Sequence, residues 1–165
     1  MRQIIRRREI VEDELRYAAE LAPGALAPEG TVRVRSLAEQ LDSAAVRLPA
    51  APTAVQLTVA DEVERLAPHL ANVRWIVIDF PKVGEGRGYS QARLLRQRHG
   101  YRHELRARGA IKRDQLFLLA RCGFDAFDLD PAEDLQAALA ALDSFTVAYQ
   151  DGSEQLIAPA RRAAP

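Results

Sequence analysis

The stretch Val73-Arg74-Trp75-Ile76-Val77-Ile78-Asp79-Phe80, running on into Pro81-Lys82-Val83-Gly84-Glu85-Gly86-Arg87-Gly88-Tyr89-Ser90, decides the fold. Four apolar residues in a row, Trp75 to Ile78, predict a strand over 73–80 that is buried on both faces, as in a parallel sheet. The strand empties into three glycines and a hydroxyl residue, and then into an Arg-rich segment with the look of a helix over 90–99, closed by Gly100. A strand, a glycine-rich turn and a helix start in that order gather backbone N–H groups and cations, a common arrangement for holding an anion.

Outward from this unit the same rhythm repeats. Ala54 to Leu57 reads as a strand. The next helix carries Val59, Val63, Leu66 and Leu70 on one face, with Pro68 ending or kinking it. Downstream, Glu104 to Ala107 reads as a strand, 111–122 as a helix closed by Gly123, and Phe124 to Leu129 as a strand. Asp130-Pro131-Ala132-Glu133 then has the pattern of an N-cap, a proline at the first helical position and a capping glutamate. Phe145, Val147 and Tyr149 alternate as a last strand. Strands separated by single helices imply right-handed βαβ units and a mainly parallel α/β sheet. An open doubly wound sheet and a partial (β/α) barrel both fit. A full barrel of eight units needs about 250 residues, more than the 165 of this chain.

The N-terminal 1–52 reads as a preface packed on the main domain. It contains a hairpin of Gln3-Ile4-Ile5 and Glu9-Ile10-Val11 around Arg6-Arg7-Arg8, a loop over 22–30 and a strand from Thr31 to Val34. Ser36 and Glu39 form a capping box at the start of a helix, and 48–52 is a connector. The βα-repeat core is expected over 53–150, and 151–165 as a flexible tail.

Composition narrows the function classes. There are 23 basic and 23 acidic residues, and net neutrality with few aromatics argues against a nucleic-acid partner. No apolar run approaches the roughly 20 residues of a membrane span. A lone cysteine, Cys122, and the lack of a secretory pattern point to the cytoplasm. His69, His99 and His103 lack ligand spacing and no zinc or iron–sulfur pattern occurs, so no metal and no cofactor are expected. Walker and dinucleotide fingerprints are absent too.

Charge is nonetheless uneven. Residues 86–121 hold ten Lys or Arg against Glu104 and Asp114, a net +8, and the rest of the chain carries the opposite excess. That asymmetry suits a small oxyanion or an acidic partner surface. The candidate anion-binding set is Gly86, Arg87, Gly88, Tyr89, Ser90, Arg93 and Arg106, with Asp79, Asp114 and Gln115 in support. Arginine offers a bidentate fork for sulfate, phosphate or carboxylate. Strand alternation puts Arg106 and Arg108 on one face with Ala107 opposite. Asp114 in a first helical turn favours the helix dipole. No catalytic set stands out.

Phe80-Pro81-Lys82, Gly86-Arg87-Gly88-Tyr89-Ser90-Gln91-Ala92-Arg93-Leu94-Leu95-Arg96, Glu104-Leu105-Arg106-Ala107 with Gly109, Asp114-Gln115-Leu116 and Arg121-Cys122-Gly123-Phe124-Asp125-Ala126-Phe127 closely resemble the bacterial domain-of-unknown-function family 934. The likeness is strong over 73–129 and looser elsewhere. It implies a place in assimilatory sulfite reduction, because members typically sit beside the gene for sulfite reductase and are often labelled oxidoreductases of that process. It supplies no reaction and no catalytic residues. Two departures occur: Glu85 stands where most members have Asp, and Gly109-Ala110-Ile111 where many have Gly-Asp-Val. The second removes a carboxylate that would cap the next helix, at a cost of about 1 kcal/mol.

Three expectations follow. The first is an accessory protein of sulfite reduction that binds an anion, the reductase or its electron donor through an Arg-rich strand-end surface. The second is a small enzyme or carrier acting on a sulfur oxyanion or a phosphorylated metabolite. The third is a structural α/β module whose arginines only pair internally. A fragmentary sheet with an apolar edge would also favour a homodimer.

Overall fold

The structure, a computed structural model, describes residues 2–21, 26–45 and 52–144. Eight strands form one sheet: β1 Gln3–Arg6, β2 Glu9–Glu12, β3 Leu15–Arg16, β4 Val32–Ser36, β5 Thr53–Leu57, β6 Val73–Phe80, β7 Glu104–Gly109 and β8 Ala126–Asp128. Their order is β2-β1-β8-β7-β6-β5-β4-β3. From β3 to β8 every neighbouring pair is parallel, and β1 runs antiparallel to both β8 and β2. Consecutive parallel strands lie side by side with no reversal of order, so the sheet is wound in one direction as in a (β/α) barrel. A doubly wound sheet would reverse at a switch point.

The two ends of this sheet, β2 and β3, are consecutive in the chain and separated only by Asp13 and Glu14. The sheet therefore curls until its ends meet. Asp13 N–H donates to Arg2 C=O on one side of the joint, and Val32 N–H to Glu14 C=O on the other. The 1–52 segment thus contributes four strands to the sheet built by the repeats.

Helices cover the convex face: α1 Leu37–Ala45, α2 Val63–Leu66, α3 Gly86–Arg93, α4 Leu116–Cys122 and α5 Leu135–Ser144. The main core lies between them and the outward residues of the strands, with Val55, Leu57, Ile76, Ile78, Phe80, Leu105, Ala107 and Phe127 packed under Leu37, Leu66, Leu95, Leu119 and Leu142. A second, smaller cluster of Leu15, Tyr17, Val34, Ala54 and Val77, with Trp75 beside it, fills part of the concave side. A β-bulge between Thr53 and Ala54 in the β5–β6 pairing leaves Arg74 out in solvent.

Several elements differ from the sequence expectation, each for a local reason. The helix expected from Ser90 begins at Gly86, because the Glu85 carboxylate caps it by accepting the Arg87 N–H and Gly88 packs flat on Phe80 and Ile78. Tertiary contact here overrides the poor helix propensity of glycine. After Arg93 the helix widens into a π turn over Leu94–Arg98. The helix expected from Val59 is a single α turn at Val63–Leu66, followed by a 3-10 segment, Ala67–Asn72, that starts next to Pro68. Ile111 is core, but its helix opens with a 3-10 turn at Arg113–Gln115. Asp130 closes a turn rather than capping a helix; Asp134 is the cap, its Oδ1 accepting from Gln136 and Ala137 N–H. The expected capping box is present: Ser36 Oγ accepts Glu39 N–H, and the Glu39 carboxylate accepts Ser36 N–H. The strand expected at Phe145–Tyr149, the connector over 48–51, residues 22–25 of the loop at 22–30 and the 151–165 tail lie outside the described residues.

Candidate functional site

The parallel strands point their C-terminal ends to one side, where a β/α architecture keeps its sites. Two chemically different surfaces meet there. The first is built by the loops after β6 and β7. These strands are in register from Trp75↔Glu104 to Phe80↔Gly109, and Ala110 N–H donates to Phe80 C=O, so the two loops leave the sheet together. Gly109 allows this only as glycine, since its φ is +110° and a Cβ would stand 2.4 Å from Phe80 O.

On this surface Tyr89 of α3 meets Gln115 from the loop after β7, Gln115 Nε2 donating to Tyr89 Oη at 3.4 Å. Burial raises the Tyr89 phenol above its ordinary range, and nearby Asp114 adds to the effect. Lys82, Arg87, Arg93, Lys112 and Arg113 are exposed, and none of their side chains has a carboxylate partner among the described residues. Ser90 is exposed on α3. Gly88 is buried against Phe80, so its lack of a side chain serves packing rather than a ligand. Gly86 has open space around it.

Arg106 is not part of this surface. It points to the concave side of the sheet, where it is 0% exposed. Arg106 Nη1 donates to Asp13 Oδ1 at 2.6 Å, and its Nε and Nη2 donate to Glu104 Oε1 at 3.0 and 2.8 Å. Burial alone would lower its pKa, but Glu104, Tyr17 and Asp13 outweigh that and raise it. Burial likewise would lift the Asp13 carboxyl, but the Arg106 charge and hydrogen bonds from Arg2, Arg106 and the Leu15 N–H hold it low. A full charge in such a place survives only when paired and hydrogen-bonded. Asp79 also lies off the α3 surface: it is half-buried on the concave face of β6, in register with Arg108.

The second surface is this concave side, a charged interior missed by reading the sequence. Going up the sheet, Trp75 lies in register with Glu104, then Val77 with Arg106, then Asp79 with Arg108 and Asp128. The N-terminal strands complete the network. Arg6 pairs with Glu14 and Glu104 at 2.8 and 2.9 Å, Trp75 Nε1 donates to Glu14 Oε1 at 3.2 Å, and Arg2 pairs with Asp13, Glu20 and Asp128. Arg108 donates through Nε to Asp128 Oδ2 at 3.2 Å and stacks over the Tyr17 ring, 3.6 Å from its centroid. Burial raises the Asp128 carboxyl and pushes the Tyr17 phenol up to about 12. The only advance sign was the alternation that put Arg106 and Arg108 on one face.

Arg96, from the π turn, is buried like Arg106, and its role is structural. It donates to the carbonyls of Gly123, Tyr101 and His103 and lies 3.4 Å from Asp125, pinning the N-terminal ends of β7 and β8. A shallow pocket at that far end is lined by Pro52, Asn72, Val73, Arg74 and His103. Among the described residues no group of three or more His, Cys, Asp or Glu is arranged to hold a metal ion, and no helix is long and apolar enough to cross a membrane.

A curled β/α sheet with a cationic strand-end surface and a salt-bridged interior defines the class of protein that this chain represents. The chain belongs to DUF934, a family of bacterial proteins of unknown function, whose pattern it matches over residues 54–158. The matched part holds β5 to β8 and both loops of the cationic surface. No curated protein and no solved structure matches the chain.

Proposed function

We propose that this chain is an accessory protein of assimilatory sulfite reduction that docks on an acidic surface, of the reductase or of its electron donor, through the cations on the loops after β6 and β7. One observation carries the reading. The interior arginines are neutralised by carboxylates, whereas Lys82, Arg87, Arg93, Lys112 and Arg113 are exposed and unpaired among the described residues. Exposed cations on one side of a neutral protein steer association with an acidic partner and give it orientation. The family resemblance supplies the pathway. The Glu85 cap occupies the start of α3 with the protein's own carboxylate, which favours a protein surface over a free anion as the ligand of this face.

The test is a pull-down of purified sulfite reductase by the full chain at low ionic strength, beside the charge-reversal variant Arg87→Glu/Lys112→Glu/Arg113→Glu. Capture by the wild type and loss of capture by the variant support the proposal. Equal capture by both, or none by either, contradicts it.

A further inference from the structure

On the concave side, at the strand-end mouth of the sheet, two guanidinium groups converge on one carboxylate, that of Glu20. Glu20 Oε1 lies 2.8 Å from Arg2 Nη1 and 3.8 Å from Arg108 Nη2, and its Oε2 accepts the Tyr17 N–H at 3.2 Å. Glu20 is 34% exposed, Arg2 34% and Arg108 24%, so solvent reaches all three. A partly exposed pair of this kind adds little to stability.

Arg2 spends its donors on Asp13 and Glu20, whereas Arg108 has one to spare. Arg108 uses Nε on Asp128, which leaves its Nη1 without an acceptor among the described residues, and its Nη2 reaches Glu20 only loosely. The Tyr17 hydroxyl is buried with no hydrogen-bond partner among the described residues, although Tyr17 is 1% exposed and its ring lies under Arg108 and 5.0 Å from Arg2. Buried hydroxyls are normally satisfied, and this unpartnered one belongs to the ring that Arg108 stacks over.

We propose that the seat between Arg2 and Arg108 is a binding site for a small oxyanion, held in this conformation by the protein's own Glu20 carboxylate. Guanidinium forks take carboxylates and sulfur or phosphorus oxyanions alike, and the carboxylate already seated shows that the spacing admits one. Glu20 sits on the short 3-10 turn Ala18–Glu20, so it competes as a tethered ligand at high effective concentration. Removing its charge opens the seat and takes one negative charge from the mouth. The site uses none of the residues of the loop surface, and the inference stands whether or not that surface docks a partner.

The experiment titrates the full-length wild type, Glu20→Ala and Glu20→Gln with formate, acetate, sulfite, sulfate and phosphate at constant ionic strength, followed by calorimetry and amide chemical shifts. Glu20→Ala should bind at least one of these anions saturably, about tenfold or more tighter than the wild type. Adding Arg108→Met should abolish that binding, and adding Arg87→Ala on the other surface should leave it intact. Arg2→Met in place of Arg108→Met serves if the first double variant does not fold. Binding by Glu20→Ala no tighter than by the wild type, or binding that survives loss of the guanidinium, would overturn the proposal.

Discussion

Arg106 and Asp13 meet at 2.6 Å with both side chains 0% exposed, although 93 residues separate them. Asp13 belongs to the two-residue joint between the ends of the sheet, and Arg106 to a strand in its middle. This pair therefore ties the joint to the middle of the sheet. Removing one partner leaves an uncompensated buried charge. Arg106→Met and Asp13→Asn should each lower stability by about 3–5 kcal/mol, and Arg106→Met combined with Asp13→Leu should recover part of the loss. Urea unfolding of these variants and of Asp13→Leu alone measures this, and additive losses of Arg106→Met and Asp13→Leu would contradict the pairing.

Gly86 and Gly88 give opposite predictions from one helix turn. A Cβ on Gly88 would stand 2.5 Å from the Phe80 ring, whereas nothing lies within 4 Å of one on Gly86. Gly88→Ala should cost about 1–3 kcal/mol through overpacking. Gly86→Ala should add up to about 1 kcal/mol, because the helix is retained and the unfolded chain loses freedom. Thermal unfolding of both variants separates packing from ligand approach as the reason for the glycines.

Burial raises the Asp125 carboxyl to about 6, against the opposing pull of Arg96 and the Leu105 N–H. The folded state therefore holds this proton more tightly than the unfolded chain does. Its contribution to stability is largest below the unfolded value near pH 4 and is lost as pH rises through about 6. Asp125→Asn keeps the acceptor for Leu105 N–H and removes the titration. The stability of the wild type relative to Asp125→Asn should fall by on the order of 2–3 kcal/mol between about pH 4 and pH 7. Denaturant midpoints of both proteins at the two pH values check this, and a constant difference would contradict it.

Local chemistry made much of this architecture legible. Val73–Phe80 stands over its expected range because its apolar run needs two buried faces, and the Ser36–Glu39 capping box is local by nature. The spacing of the repeats pointed to a mainly parallel βαβ sheet and left an open doubly wound sheet and a partial barrel both standing; the strand order decides for the barrel-like winding. What was not legible depends on the curl. Alternation put Arg106 and Arg108 on one face but carried no sign that the face was concave or that Asp13 and Tyr17 would reach it from the N-terminus. Arg106 consequently belongs with Asp13 and Glu104, and only the 86–93 residues, with Asp114 and Gln115, gather at the loop surface. The start of α3 was misplaced because glycine propensity says nothing about the Phe80 ring under Gly88. Asp130 looked like the helix cap because Pro131 and Glu133 follow it, but Asp134 sits one residue before Leu135 and takes the role.

On the proposed docking face the strand-end cations have no carboxylate partner among the described residues, whereas the interior arginines are paired. The most direct test of that docking is the affinity of the full chain for purified sulfite reductase, measured by calorimetry over rising salt. Docking through this face should give binding that weakens steeply as exposed charges are screened and that drops about tenfold or more in Arg87→Ala/Lys112→Ala/Arg113→Ala at low salt. An affinity that ignores both salt and these three substitutions, or no binding at any salt, would contradict it.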